Sequence, residues 1–240
     1  MKVLRLNAWD VDYAEALAIQ ERLRRQIVRR GKPRNVRLVA GADVSYDKKS
    51  GRFYAAVVVM TFPELRIVEE ACATGVAKFP YIPGLLTFRE GPILLRAFEK
   101  LQTTPDLVIF DGQGVAHPRG VGLAAHMGLL VDVPSIGCAK TRLCGEHGEV
   151  ARAAGSRTKL RLKGRGVGLV VRTRAGVKPL FVSVGHRIAL SAAAEWVLAT
   201  SRGWRLPEPT RQAHLLVNRL RLGADSPQSG SLGKSFGNRR

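Results

Sequence analysis

Three carboxylates stand where their chemistry is most useful. Asp43 lies within Val39-Ala40-Gly41-Ala42-Asp43-Val44-Ser45-Tyr46, an otherwise apolar strand pattern. A carboxylate buried there is costly unless it is paired or ligates a metal. Asp111 directly follows the apolar run Leu107 to Phe110 and precedes Gly112-Gln113-Gly114. The mouth of a strand, just before a Gly-rich loop, suits a site at a sheet edge. Glu90 follows the loop Tyr81-Ile82-Pro83-Gly84 and precedes a helical pattern. Each has an ordinary alternative: Asp111 as a turn opener, Glu90 as a favourable charge at a helix N-terminus. Together they offer three separated hard-oxygen ligands. Mg²⁺ prefers few carboxylates, several waters and substrate phosphate oxygens. Two such ions about 4 Å apart can activate water and stabilise the leaving oxygen of a phosphodiester. Residue types and pattern alone reach a possible metal-dependent nuclease and no further.

The charge balance names the partner class. Lys plus Arg is 39 and Asp plus Glu is 19 in 240 residues, so the formal charge is 39 − 19 = +20. Such an excess attracts polyanions through release of their counterions. It does not separate a nuclease from a passive binder, and a generally basic surface is the plain alternative. The longest apolar run, about Tyr54 to Phe62, falls well short of a membrane span and reads as a strand. Asp10, Asp12 and Glu15 break any secretory pattern at the N-terminus. Cys72, Cys138 and Cys144 include no CxxC pair, which argues against a disulfide framework or a zinc finger and for a reducing, cytoplasmic compartment.

Periodicity supplies the elements that must position these residues. Ala16, Ile19, Leu23 and Ile27 predict an amphipathic helix over about 10–30, ended by Gly31-Lys32-Pro33. Its arginines, Arg22, Arg24, Arg25, Arg29 and Arg30, mostly fall elsewhere on its surface, as a solvated face or as phosphate contacts. Val36 to Tyr46, Phe53 to Phe62 and Leu65 to Thr74 predict three strands of an antiparallel meander, with a turn at Asp47 to Gly51. A helix is expected from about Pro92 to Gln102, a strand at Leu107 to Phe110, a helix at Gly122 to Leu130 and a strand at Ser135 to Cys138. Late strands follow at Val167 to Arg172 and Leu180 to Val184, then a helix at Ile188 to Thr200. A meander followed by alternating helix and strand gives an α/β layered domain with a mixed sheet. With 45% hydrophobic residues, one large domain is expected over 1–222. Residues 223–240, rich in Gly and Ser, read as a flexible tail.

At these carboxylates the chain resembles the endonuclease V family. Gly41-Ala42-Asp43-Val44-Ser45-Tyr46 looks like the family's first metal motif. Pro80-Tyr81-Ile82-Pro83-Gly84-Leu85-Leu86-Thr87-Phe88-Arg89-Glu90 is similar to its signature loop, and Asp111-Gly112-Gln113-Gly114-Val115-Ala116-His117-Pro118-Arg119 to its third motif. Cys138-Ala139-Lys140-Thr141-Arg142-Leu143, Gly185-His186-Arg187 and Pro207-Glu208-Pro209-Thr210-Arg211-Gln212-Ala213-His214 continue the match in the family's order, from about Asp10 to Arg221.

The resemblance implies an RNase H-like mixed β-sheet flanked by helices. It implies Mg²⁺, with Mn²⁺ as a substitute, held around Asp43 and Asp111 with Glu90 completing the acidic site. It places Lys140 near the phosphate chemistry, with His117 and His214 beside the same site. The implied reaction is DNA repair: cleavage at the second phosphodiester 3′ to deoxyinosine, leaving 3′-hydroxyl and 5′-phosphate ends. Tyr81 would be a wedge filling the gap left by an extruded base, as a stiff, Pro-bracketed aromatic can; the alternative is a core tyrosine. Gly84, Leu86 and Gly112 would read the base through backbone groups. Implied partners are DNA with deaminated bases or, in an RNA-directed member, inosine-containing RNA, acted on by a monomer with no membrane role. A metal-free binding protein that has lost the chemistry is the other alternative, and the intact Asp43, Glu90 and Asp111 argue against it. Cys138 stands where a small aliphatic residue is expected and is read as a packing residue.

Overall fold

The computed structural model describes residues 1–224; of the expected tail 223–240, Gly223 and Ala224 end the last helix instead, and the rest lies outside the described residues. The elements run α1 (Tyr13–Arg24), β1 (Leu38–Tyr46), β2 (Arg52–Thr61), β3 (Ile67–Val76), α2 (Leu86–Lys100), β4 (Leu107–Phe110), α3 (Leu123–Val131), β5 (Ser135–Ala139), β6 (Arg157–Leu162), β7 (Arg165–Val171), β8 (Leu180–His186), α4 (Leu190–Ala199) and α5 (Glu208–Ala224). The strands form one sheet in the order β3-β2-β1-β4-β5-β8-β7-β6. β1, β4 and β5 are mutually parallel neighbours, and every other pairing is antiparallel. The mixed α/β sheet expected from the sequence is therefore what forms.

Helices cover both faces, and the strand side chains divide accordingly. On one face Val39, Ala56, Val58, Ile109 and Val182 pack with Ala193, Val197, Ala213 and Val217 of α4 and α5. On the other, Ala40, Ala42, Val57, Val59, Val108 and Phe110 pack with Ile93, Leu94, Phe98 and Met127 of α2 and α3. Alternate residues of one strand thus enter opposite cores, which is the period-two rule for a strand covered on both sides. Cys138 is fully buried in the first of these cores, as a packing residue.

Four elements, α1, α2, α5 and β6, depart from the sequence expectation. α1 starts later and ends sooner, because Asp12 and Glu15 close a capping box at its start and the chain leaves the helix after Arg24. α2 begins at Leu86, not near Pro92: Leu85 and Phe88 bury against Trp9 and Phe79, and that packing makes the first turn helical. Glu90 is therefore inside the helix, on the same side as Leu86 four residues earlier. Pro92 is tolerated there because its missing N–H forfeits only the bond to the Phe88 carbonyl. α5 was not expected at all, since Pro207 and Pro209 interrupt any helical pattern there; prolines in a first turn remove no intrahelical bond. β6 was missed as well, because its alternating Arg and Lys mark an exposed edge strand and resemble a charged loop.

Candidate active site

The parallel strands aim three side chains at one place. Asp43 is near the end of β1, Asp111 follows β4 and Lys140 follows β5. The Asp111 N–H donates to the Ala42 carbonyl at 2.9 Å, which carries the β1–β4 pairing one residue beyond the strand. By strand alternation Asp43 shares a face with Val39, Asp111 with Ile109, and Lys140 with Cys138. All three thus project from the carboxyl ends of adjacent parallel strands onto the α4–α5 side, where open α/β sheets place their chemistry.

α5 closes this corner. A Cβ at Gly41 would fall 2.0 Å from the Pro209 carbonyl, so the helix backbone rests directly on β1. That approach brings His214 to Asp43, with Nδ1 donating to Oδ2 at 2.7 Å. Asn218, one turn on, donates to His214 Nε2 at 3.2 Å and to the His214 carbonyl at 2.9 Å. The Lys140 ammonium lies 2.5 Å from Asp111 Oδ2 and 3.3 Å from His214 Nδ1. Ligand atoms of Asp43, Asp111 and His214 all fall within 4.8 Å of one another.

Glu90 stands outside that group of three but feels it. Burial first, then the negative charge of Asp43, with a further push from Asp111, raises its carboxyl to about 8, against the pull of Arg89. Burial and the Asp43 charge raise Asp111 too, opposed by Lys140. With the Asp43 charge raising both Glu90 and Asp111, and one ammonium among the three carboxylates, the site is short of positive charge. Hard oxygen donors of this kind fit a divalent cation such as Mg²⁺.

A cavity of about 470 Å³ opens beside the cluster and shares Glu90, Asp111 and Lys140 with it. The remaining walls come from Tyr81 to Gly84, Leu86 and Thr87, Gly112 and Gln113, His117, and Thr141 to Leu143. The sequence-derived residues therefore separate into two neighbouring groups. Asp43 and His214 belong to the acidic corner; Tyr81, Gly84, Leu86, Gly112 and His117 belong to the cavity. His117 is buried, and burial, followed by the charge of Arg119, lowers its pKa to about 4. Tyr81 is 69% exposed at the rim, so it is no core residue. Its ring lies 5.8 Å from the Arg89 guanidinium, which also sits over Tyr46 and Phe53.

Sequence reasoning missed several supporting residues. Asn218 was hidden because its helix was. Gln113 donates to the Thr141 carbonyl at 2.9 Å, tying the β4 loop to the β5 loop. Arg205 donates to the Lys140 and Pro179 carbonyls at 2.7 and 3.1 Å. Gln20 and Arg119 converge on Gly84. One signal was available: Gln20 is a polar residue on the buried stripe of α1, between Ala16 and Leu23.

The family model for Endonuclease V matches residues 21–215. The chain belongs to the endonuclease V family. An Endonuclease V of Gloeobacter violaceus is 48% identical over 221 residues, covering 91% of this chain and 90% of the relative. The crystal structure of Endonuclease V from Streptomyces avermitilis is 41% identical, with a TM-score of 0.86 over 91% of this chain and 97% of that one. Ciona intestinalis Endonuclease V, solved in complex with a 24mer DNA containing an inosine followed by a ribo-adenosine, is 26% identical with a TM-score of 0.75, covering 88% and 98%. The fold is accordingly RNase H-like, and the enzyme is a metal-dependent endonuclease with an acidic cluster able to hold the metal. No helix among the described residues is long and apolar enough to cross a membrane.

Proposed function

We propose that this endonuclease V cuts DNA beside a deaminated base, deoxyinosine foremost, at the second phosphodiester on its 3′ side, leaving 3′-hydroxyl and 5′-phosphate ends. The observation that carries the reading is the joining of the 470 Å³ cavity to the acidic corner through Glu90, Asp111 and Lys140. A cavity of that size accepts an extruded base, and its shared wall leaves the adjoining backbone beside the carboxylates. The inosine in the DNA bound by the Ciona relative supports the same assignment.

Asp43, Asp111 and Glu90 would hold Mg²⁺, with Mn²⁺ as a substitute. When bound, the cation supplies Lewis-acid stabilisation and a more acidic water. His214 orients Asp43, and Lys140 presents an ammonium to charge developing on a phosphodiester oxygen. Tyr81 fills the space the base vacates, while Gly84, Leu86 and Gly112 offer backbone groups to the base. His117, neutral near pH 7, closes the cavity wall without adding charge. Residues 1–222 form the working unit, as a monomer. Three free cysteines suit a reducing, cytoplasmic setting.

An inosine-directed endoribonuclease is the second reading, favoured by the ribo-adenosine that follows inosine in that relative's strand. Oligonucleotides of DNA and of RNA, each carrying one inosine, decide between them when the cut position is mapped with Mg²⁺ and with chelator. Metal-dependent nicking of the DNA strand one nucleotide beyond the inosine's own 3′ phosphate is expected. Nicking of the RNA alone, or cuts unrelated to inosine, would overturn the DNA reading.

A further inference from the structure

The Tyr81 loop makes one backbone bond of its own, from Leu85 N–H to the Ile82 carbonyl at 3.0 Å. Side chains from outside the loop hold it through another carbonyl, that of Gly84. Gly84 O accepts from Gln20 Nε2 at 3.0 Å and from Arg119 Nη2 at 2.7 Å, so both its lone pairs are filled. The two donors are themselves joined, Arg119 Nε donating to Gln20 Oε1 at 2.6 Å. The second Gln20 N–H goes to the Val121 carbonyl at 3.1 Å. Every polar atom of Gln20 is thus used, in a side chain only 1% exposed. Gly84 has φ +79°, and a Cβ there would lie 2.6 Å from Arg119 Nη2, so the contact needs glycine twice over.

We infer that Gln20 and Arg119 are positioning residues for substrate discrimination: a clamp that fixes the Tyr81 loop against the His117–Val121 segment, so that the ring stands ready before DNA arrives. For stability alone an apolar residue would serve at position 20, because its neighbours on the stripe, Ala16 and Leu23, are apolar. A fully satisfied buried polar network fixes one geometry, which an apolar contact does not. The clamp touches neither Asp43, Asp111, His214 nor Lys140. Its loss therefore acts on base extrusion and leaves phosphodiester chemistry alone. The inference rests on the assignment of Tyr81 as the wedge.

Gln20→Met keeps the buried volume and removes the bonds of Gln20 to Gly84, Val121 and Arg119; Arg119→Met removes the other donor to Gly84. The rates to compare are those on inosine paired in duplex and on inosine in single-stranded DNA, with Tyr81→Ala run beside them. For Gln20→Met the paired substrate should slow about tenfold or more, since small misplacements of positioning groups are costly, while the single strand changes by less than about threefold. The double variant should be no worse than about the single ones, as coupled partners are not additive. Amide exchange at residues 81–85 should speed up while that of α1 is unchanged. Parallel losses on both substrates, or an unchanged ratio in a folded Gln20→Met enzyme whose Tyr81→Ala counterpart does lose discrimination, overturns the clamp alone. An unchanged ratio in Tyr81→Ala itself overturns the wedge, and the clamp's role falls with it.

Discussion

His214 and Asp43, 171 positions apart, share a hydrogen bond of 2.7 Å that ties α5 to the end of β1. With Nδ1–H committed to Asp43, the other ring nitrogen accepts from Asn218. The imidazole thus holds the carboxylate in one orientation, and Asn218 holds the imidazole.

Graded losses should follow along this chain of contacts. Asp43→Ala and Asp111→Ala remove a ligand outright and should abolish metal-dependent nicking. His214→Ala leaves the ligand but frees its orientation, and should cost about a hundredfold. Asn218→Leu, one step further out, should cost about ten- to a hundredfold, as loss of an outer partner commonly does. Single-turnover rates beside melting curves check the series. Strong residual nicking by a folded Asp43→Ala enzyme would contradict the assignment.

Lys140 should separate metal affinity from turnover. Its ammonium lies 2.5 Å from Asp111, where it competes with any added cation for the same carboxylate. Lys140→Met should therefore lower the Mg²⁺ concentration needed for half-maximal activity while cutting the maximal rate about a hundredfold or more, the size of one lost stabilising group. A metal titration of the variant reads both. If metal need rises while the maximal rate holds, Lys140 is no charge-balancing group.

The carboxylates of this site were legible in the sequence because a polar residue in an apolar strand is conspicuous. Asp43 within Val39 to Tyr46 and Asp111 after Leu107 to Phe110 stand out by contrast alone. Their nearness was not legible. It depends on β1 and β4 being parallel neighbours, a long-range pairing that no local period encodes. The meander was readable, since short turns leave strands little choice but to pair antiparallel. α5 was lost to its prolines, and Asn218 with it. Gln20 showed itself only as one polar residue on an apolar stripe, and nothing nearby says that its partner is Gly84.

Acid should destabilise the fold through His126. This ring is fully buried on α3, stacked on Trp9, and its Nε2 donates to Asn7 Oδ1 at 2.8 Å. Nδ1 has no partner among the described residues, and burial, then the charge of Arg22, lowers the pKa to about 3. The unfolded chain protonates His126 near the ordinary value of about 6.5, well before the folded one does. The unfolded state binds more protons between those two values, so stability is full above about pH 6.5 and falls steadily toward pH 3. The loss over that window is of the order of 3–5 kcal/mol for this one group, at about 1.4 kcal/mol per pH unit. His126→Phe should flatten that part of the curve in denaturant titrations at several pH values. An equal slope in variant and parent would assign the acid loss elsewhere.

Binding to undamaged DNA should be strongly salt-dependent, given a formal charge of +20. Contact with about six phosphates would weaken binding roughly a thousandfold between about 50 and 200 mM salt. Fluorescence anisotropy on an unmodified duplex measures the slope directly. A nearly flat dependence would mean that the basic surface is not the docking face.

Tyr81 carries the sharpest test, because its exposure already excludes the core role that would otherwise explain it. A ring 69% exposed at the cavity rim has little packing to lose, so Tyr81→Ala should leave the melting temperature nearly unchanged. If the ring fills the gap behind an extruded base, its removal costs one base–aromatic stack, about 1–3 kcal/mol, or roughly five- to 150-fold in selection of inosine over normal duplex. The loss should fall mainly on paired substrates, because an inosine in a single strand or mismatch is already easier to extrude. The Mg²⁺ requirement should not move, since the ring touches none of the carboxylates. Tyr81→Phe should keep most of the selection, because stacking uses the ring and not the hydroxyl. Rates on paired and unpaired inosine, measured for both variants, read the outcome. If Tyr81→Ala slowed every substrate equally, the ring would be serving general binding, and the gap left by the base would have to be filled by another residue of the Pro80–Pro83 loop.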